Sequence, residues 1–263
     1  MMNTKQFLGK VAIITGAANG IGLATVAHFA EEGADIVAVD LDGASLANAI
    51  AAGEAAGQSV VAVAANVAQE ADWANVVEQA LEAFGRIDIL INCAGISGPL
   101  IRFQDCSVAD FDQVMAVNVR GIFLGIQAVI PAMKAQGGGH IVNVSSISGE
   151  RGNGRILPYT TSKHAVNGLT KSAALDLIEC GIHVNAVSPA PIDTNMIRKA
   201  EEAIMARLNV EPDKARQMMS SGNPLGRYGQ PSEIAAAMAF LCSDAASFMT
   251  GAIVPVDGGA LAR

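Results

Sequence analysis

Tyr159 and Lys163 stand four residues apart in the stretch Tyr159-Thr160-Thr161-Ser162-Lys163. On a helix that spacing puts both side chains on one face, one turn apart. A phenol with its ordinary pKa of about 10 is a poor acid or base near neutral pH. A fixed ammonium nearby favours the phenolate and draws that pKa down. The pair therefore predicts a tuned proton donor or acceptor. Tyrosine is scarce, two in the chain, so its place beside a lysine carries information. A surface or packing pair is the other reading of the same spacing, and the rest of the chain decides between them.

A second constellation lies near the N-terminus. Val11-Ala-Ile-Ile-Thr15 is an apolar run fit for a strand buried on both faces. It enters Gly16-Ala-Ala-Asn-Gly20-Ile-Gly22 directly, and an amphipathic stretch over 21–32 follows, stopped by Gly33. Next come an apolar run over 36–39 and Asp40. Strand, glycine turn, helix, strand and acid in that order describe a dinucleotide site. Gly16 permits a tight turn, Gly20 lets the backbone approach a pyrophosphate, and Gly22 lets the helix pack closely. The helix N-terminus presents free N–H groups and its positive dipole end to the phosphates. Asp40 can accept hydrogen bonds from the adenosine ribose hydroxyls and would repel a 2′-phosphate, which predicts NAD over NADP. The absence of Gly-Lys-Ser/Thr after the glycines excludes a Walker phosphate loop.

The elements that must position these groups alternate regularly. Helical patterns over 44–56 and 70–84 flank a β-branched run over 59–65 that ends at Asn66-Val67. A strand over 87–91 runs into Asn92-Cys93-Ala94-Gly95, and Ser107 reads as the N-cap of one long helix through Asn118 to about 136. A strand over 140–144 ends in Ser145-Ser146, and the Tyr159 helix spans about 158–180 before Gly181. A strand over 183–187 reaches Ser188-Pro189, a helix starts at Pro231, and a last strand covers 252–256. About seven strands alternating with about six helices predict an α/β fold: one doubly wound parallel sheet with helices on both faces, in a single domain over 1–263. Ligands of such sheets bind beyond the carboxyl ends of the strands, where the turn residues just named fall.

Composition narrows the function. Hydrophobic residues make up 51% and charged residues 16%, enough to bury a sizeable core. The net charge of -8 gives no basic footprint for nucleic acid. Four cysteines and four histidines are dispersed without metal-ligand spacing, so no metal site is expected and the thiols suit a reducing compartment. Neither a signal-peptide pattern nor an uninterrupted run of about 18 apolar residues is seen, so the expectation is a cytoplasmic protein with no membrane span.

In order along the chain, Thr15-Gly-Ala-Ala-Asn-Gly-Ile-Gly22, Asn92-Cys-Ala-Gly95, Asn118, Ser146, Tyr159-x-x-x-Lys163, Pro189 with Ile192 and Thr194, and Thr250-Gly251 with Asp257-Gly-Gly259 resemble the short-chain dehydrogenase/reductase family over almost the whole length. The resemblance implies a Rossmann fold, a nicotinamide cofactor and hydride transfer between a secondary alcohol and a ketone. It implies Tyr159 as general acid/base, Lys163 on the nicotinamide ribose and lowering the Tyr159 pKa, and Ser146 holding the carbonyl oxygen. Ser146 is chosen over Ser145 because successive strand residues face opposite ways and because the resemblance places the family's serine thirteen residues before the tyrosine. Asn118 would anchor a proton-relaying water; a buried amide capping neighbouring backbone is its alternative. Gly16, Asn19, Gly20, Ile21, Gly22, Asp40, Leu41, Asn66, Val67, Asn92, Ala94, Gly95, Tyr159, Lys163, Pro189, Ile192 and Thr194 would contact NAD. Asn66, Cys93 and Ala190 depart from the family's usual Asp, Asn and Gly. The segment over about 189–229 is apolar, Met-rich and mixed in charge, and reads as a substrate lid over a small, uncharged, possibly cyclic substrate. A homotetramer is implied, and a 3-oxoacyl-carrier-protein reductase or a non-catalytic dinucleotide binder are the alternatives. Asp40 disfavours the first, and intact Ser146, Tyr159 and Lys163 disfavour the second.

Overall fold

A computed structural model describes residues 5–262. Its frame is a seven-stranded, wholly parallel sheet in the order β3-β2-β1-β4-β5-β6-β7. The strands are β1 (Val11–Thr15), β2 (Asp35–Asp40), β3 (Val60–Ala64), β4 (Ile89–Asn92), β5 (Gly139–Val144), β6 (Ile182–Pro189) and β7 (Ile253–Val256). The helices are α1 (Gly20–Glu31), α2 (Ala47–Ala56), α3 (Glu70–Phe84), α4 (Val108–Met115), α5 (Gly121–Ala135), α6 (Leu157–Leu177), α7 (Asn195–Leu208), α8 (Pro212–Ser220) and α9 (Pro231–Leu241).

Because strand side chains alternate, neighbours on β1 feed separate cores. Ile14 joins Phe29, Ile36, Leu46, Ile234 and Met238 on the face covered by α1, α2 and α9. Ile13 joins Val37, Trp73, Ile126, Val129 and Val166 on the face covered by α3, α5 and α6. Burial on both faces accounts for the unbroken apolar runs of the central strands. The chain builds outward from β1 through β3, then crosses back so that β4 lies on the other side of β1. A crevice opens at that reversal, above the carboxyl ends of β1 and β4.

Two elements differ from the sequence reading. The helix starting after Ser107, whose hydroxyl accepts from Asp110 N–H, is not regular: a π turn over Ala116–Arg120 separates α4 from α5, with Asn118 inside it. Local sequence does not announce an inserted residue in a helix, and such turns recur at functional sites. The 28-residue stretch Val108–Ala135 also has a window of mean hydropathy 1.6, long and apolar enough to cross a bilayer by length and composition, although no uninterrupted apolar run exists. In the fold Ile122, Ile126, Val129 and Met133 on this stretch are core residues beneath the sheet.

Between β6 and α9, where no strand was expected, α7 and α8 form a helical pair. α7 buries no residue and α8 only Ala215. The pair is tethered by polar contacts instead. The Tyr228 hydroxyl donates to Glu201 at 2.6 Å, Arg216 lies 5.1 Å over the Tyr228 ring, and Asp193 pairs with Arg198 at 3.2 Å.

Candidate active site

A cleft of about 330 Å³ occupies the crevice at the β1–β4 reversal. Its floor is the glycine turn: Gly16, Asn19, Gly20, Ile21 and Gly22 all line it. A Cβ on Gly22 would stand 2.0 Å from the Gly16 carbonyl oxygen, so the turn closes only around a bare Cα. Gly20 has φ +54°, and a Cβ there would lie 3.1 Å from the Thr194 methyl. Glycine at this position keeps both the left-handed backbone and the approach of the segment after β6.

Asp40 and Leu41 form one wall. The Asp40 carboxylate accepts from Ala18 N–H at 3.0 Å and from Leu41 N–H at 2.8 Å, which fixes it between the glycine turn and the end of β2. Asn66 and Val67 line the cleft too, but the Asn66 amide oxygen is turned to Ala68 N–H at 3.0 Å, in a local Asx turn. One lone pair of that oxygen is therefore engaged within the chain.

Ala94 and Gly95 line the cleft beyond β4, with Cys93 between them and the strand. Asn92, one residue earlier, does not. It is buried on the opposite face, and its amide donates to Asn143 at 2.9 Å, which in turn donates to Thr170 at 3.0 Å. The period-two alternation that puts Ile91 and Asn92 on opposite faces sends this amide into the core. Pro189 is likewise buried at the end of β6. Ile192, buried, faces an adjoining cavity of about 280 Å³ with Ala190 and Asn223, whereas Thr194 reaches the main cleft.

The residues expected to handle the proton gather beside Gly95. The Lys163 ammonium lies 3.8 Å from where a Cβ on Gly95 would stand and 5.5 Å from the Tyr159 ring centre. It donates to the Val144 carbonyl at 2.7 Å. The Ser146 hydroxyl meets the Tyr159 phenol and accepts from Ser148 N–H at 3.1 Å. Ser145 faces the other way, donating to Asn167 at 2.6 Å.

The electrostatics depart from the expectation built on the Tyr-x-x-x-Lys spacing. Burial pushes the Tyr159 phenol above its ordinary value, opposed by the Ser146 hydrogen bond. Burial also pulls Lys163 down to about 8. Spacing alone supplies the partner but omits the shared cost of leaving water, and here desolvation is the larger effect on both groups. Burial likewise pushes the Cys93 thiol up to about 12, the behaviour of a packed rather than a reactive cysteine.

Asn118 is fully buried in the π turn. Its side chain brackets Ile96, accepting from the N–H at 2.8 Å and donating to the carbonyl at 2.9 Å, and also donates to Ser162 at 3.0 Å. Ser162 passes the chain on, donating to the Tyr159 carbonyl at 2.7 Å. The amide thus ties the loop after β4 to the first turns of α6, combining the capping alternative with a place in the site.

Two positioning residues were given no role by the sequence reading. Thr15 accepts from Cys93 N–H at 3.0 Å and Ala94 N–H at 3.1 Å, clamping the loop after β4 to the end of β1. Asn167 holds the turn around Ser146 by donating to the Gly149 carbonyl at 2.9 Å and accepting from Ser145. Met196, at the start of α7 and within the segment expected to form a lid, also lines the cleft. Thr15 stood inside the glycine motif and Asn167 stands four residues after Lys163; periodicity would have placed the latter on the same face. Among the described residues no cluster of three or more His, Cys, Asp or Glu is able to hold a metal.

A family model described as enoyl-(acyl carrier protein) reductase matches residues 16–260. The chain belongs to the short-chain dehydrogenase/reductase family. It is 39% identical to levodione reductase of Leifsonia aquatica, covering 97% of this chain and 96% of that one. It is 41% identical to a 3-oxoacyl-[acyl-carrier-protein] reductase of Thermotoga maritima over 95% and 97% of the two chains. It is 38% identical to cyclohexanol dehydrogenase of an Acinetobacter strain over 97% and 96%. The crystal structure of levodione reductase superposes with a TM-score of 0.92 at 38% identity, over 98% of this chain and 99% of that one. NAD+-bound xylitol dehydrogenase does so with 0.92 at 36% identity, over 97% and 100%.

Proposed function

We propose that this protein is an NAD-dependent oxidoreductase that interconverts a secondary alcohol and a ketone, on a small substrate with an apolar, cyclic body. The observation that carries the reading is the meeting of Ser146 with the Tyr159 phenol, with Lys163 beside Gly95 at the edge of a glycine-floored cleft. The names of levodione reductase and cyclohexanol dehydrogenase support a cyclic alcohol or ketone. NAD is supported by the xylitol dehydrogenase neighbour and by Asp40, whose carboxylate would meet ribose hydroxyls and repel a 2′-phosphate. A bound nicotinamide would supply or accept the hydride.

The chain's own groups handle the proton and the developing charge. Ser146 donates a hydrogen bond to the substrate oxygen, and a donor placed there is worth most as that oxygen gains charge. Tyr159, kept protonated by burial, gives its proton to that oxygen in the reductive direction. Lys163 holds a proton that burial has loosened and is placed to resupply it, with Asn118 fixing the surrounding loop. The 189–229 segment, thinly packed and contributing Met196 to the cleft, serves as the substrate lid. Tyr159→Phe is expected to lower kcat by about 10²–10⁴-fold while NAD binding, read by calorimetry, stays within twofold. Undiminished turnover would remove Tyr159 from the chemistry.

The 3-oxoacyl reductase relative favours a second reading, in which the substrate is a carrier-bound 3-ketone. Turnover of a 3-oxoacyl thioester with NADPH, and none of cyclic ketones with NADH, would select it. We also propose a homotetramer. Phe123, Leu175 and Ile178 on α5, α6 and the turn after α6 are exposed, as is Phe248 before the edge strand β7. Such apolar patches commonly mark interfaces. Sedimentation equilibrium should give four chains; a monomer would overturn this assembly.

A further inference from the structure

The two side chains that meet at the site belong to different elements. Ser146 caps the short turn Ile147–Gly149 after β5, and Tyr159 stands in the first turn of α6. Their relative position is therefore set by how that turn docks on α6. Along α6, Tyr159, Lys163 and Asn167 follow one another at four-residue intervals, so all three lie on one face. Asn167 is buried, and both ends of its amide are committed to the serine turn.

The Asn167 Nδ2 donates to the Gly149 carbonyl at 2.9 Å, and its Oδ1 accepts from the Ser145 hydroxyl at 2.6 Å. A carbonyl only accepts, so the Gly149 bond fixes which way round the amide stands and leaves Oδ1 for Ser145. The Ser145 hydroxyl also lies 3.3 Å from the Lys163 carbonyl. These bonds grip the chain at the residue before Ser146 and again at Gly149. There is little slack between the two anchors. A Cβ on Gly149 would stand 2.7 Å from the Lys163 carbonyl oxygen and 2.9 Å from the Ser145 hydroxyl, so the turn lies directly on the helix backbone. Within the turn, the Ser146 hydroxyl accepts from Ser148 N–H at 3.1 Å, and Gly149 N–H returns to the Ser146 carbonyl at 2.8 Å. Ser146 is thus held between two fixed points, with its hydroxyl on the Tyr159 phenol.

We propose that Asn167 is a positioning residue of the reaction: through Ser145 and Gly149 it aims the Ser146 hydroxyl at the Tyr159 phenol and at the substrate oxygen the two would share. The inference deepens the alcohol/ketone reading and rests on it. The Ser146 bond favours the phenolate and opposes the effect of burial, so loosening the turn makes Tyr159 a weaker acid. The titratable neighbours of the phenol, Lys163 and Cys93, are not altered by an exchange at Asn167.

The test is oxidation of cyclohexanol by NAD, and reduction of levodione by NADH, across pH in wild type, Asn167→Leu and Ser145→Ala. Leucine keeps similar volume and removes both bonds. In Asn167→Leu, kcat should fall about 10–100-fold while KM for NAD holds within about twofold. The rise of kcat for oxidation, which follows formation of the phenolate, should move to higher pH. Ser145→Ala should shift the profile the same way by a smaller amount, so the outcome does not depend on one variant folding. A double-mutant cycle adds a second comparison: in a Ser146→Ala background, Asn167→Leu should change kcat by less than about twofold, because no hydroxyl remains to be aimed. A merely structural asparagine would lower the melting temperature, leave the pH profile in place and cost the same factor in both backgrounds. An unmoved profile, or a full loss repeated without Ser146, overturns the proposal. Phenolate absorbance of the cofactor-free protein, assigned by its loss in Tyr159→Phe, reads the same shift without turnover. If neither compound turns over, the alcohol/ketone reading fails; a phenolate midpoint that does not rise in Asn167→Leu sinks the Asn167 assignment separately.

Discussion

Lys163→Met offers a direct measure of what the site costs the fold. Lys163 is 4% exposed and its pKa falls from 10.5 to about 8, chiefly through burial. A depression of that size corresponds to about 3 kcal/mol of folding free energy. The sign follows from proton counting. Below pH 8 the lysine is charged in both states, and the penalty of the buried charge is fully present. Between pH 8 and about 10.5 the unfolded chain holds a proton that the folded chain has shed, so stability rises with pH. Above that range both states are neutral and the penalty is gone. Methionine fills similar volume without titrating, and the lost donor to Val144 costs about 1–3 kcal/mol at every pH. Wild type should therefore gain about 3 kcal/mol on the variant from pH 7 to pH 10.5. Urea unfolding of the cofactor-free proteins, extrapolated to water at each pH, reads this difference. The raised acids Tyr159 and Cys93 titrate in the same direction in both proteins and largely cancel. Parallel stability curves for wild type and variant across this window would refute a desolvated ammonium at Lys163.

Two further outcomes are expected. Asp40→Ala removes the carboxylate from the cleft wall along with its bonds to Ala18 and Leu41; the NADP-to-NAD ratio of kcat/KM should rise by at least tenfold, and an unchanged ratio would deny the ribose contact. Gly22→Ala forces a methyl to within 2.0 Å of the Gly16 carbonyl oxygen; the glycine turn must open, and NAD affinity by calorimetry should fall more than tenfold, whereas wild-type affinity would mean the turn has slack.

The order of the elements and the nature of the sheet were legible in the chain because both follow from local rules. Doubly buried strands read as unbroken apolar runs, the turn at Gly16–Gly22 declares itself by glycine, and helix starts at Ser107 and Pro231 by their caps. Tyr159 and Lys163 were identifiable as residue types at fixed spacing on one helix, and Ser146 through the family resemblance. What the sequence left open depends on groups distant along the chain. Asn92 looked like a cleft residue, yet Asn143 and Thr170 on other elements draw its amide into the core. Asn118 could be assigned to a helix but not to a π turn bracketing Ile96. Spacing predicted an acidified Tyr159, but pKa depends on how much water the fold removes, and burial of Tyr159 and Lys163 together reverses the direction. Periodicity and turn chemistry act within a few residues and so are written in sequence. Desolvation, charge compensation and close approach are sums over neighbours that only the folded chain brings together.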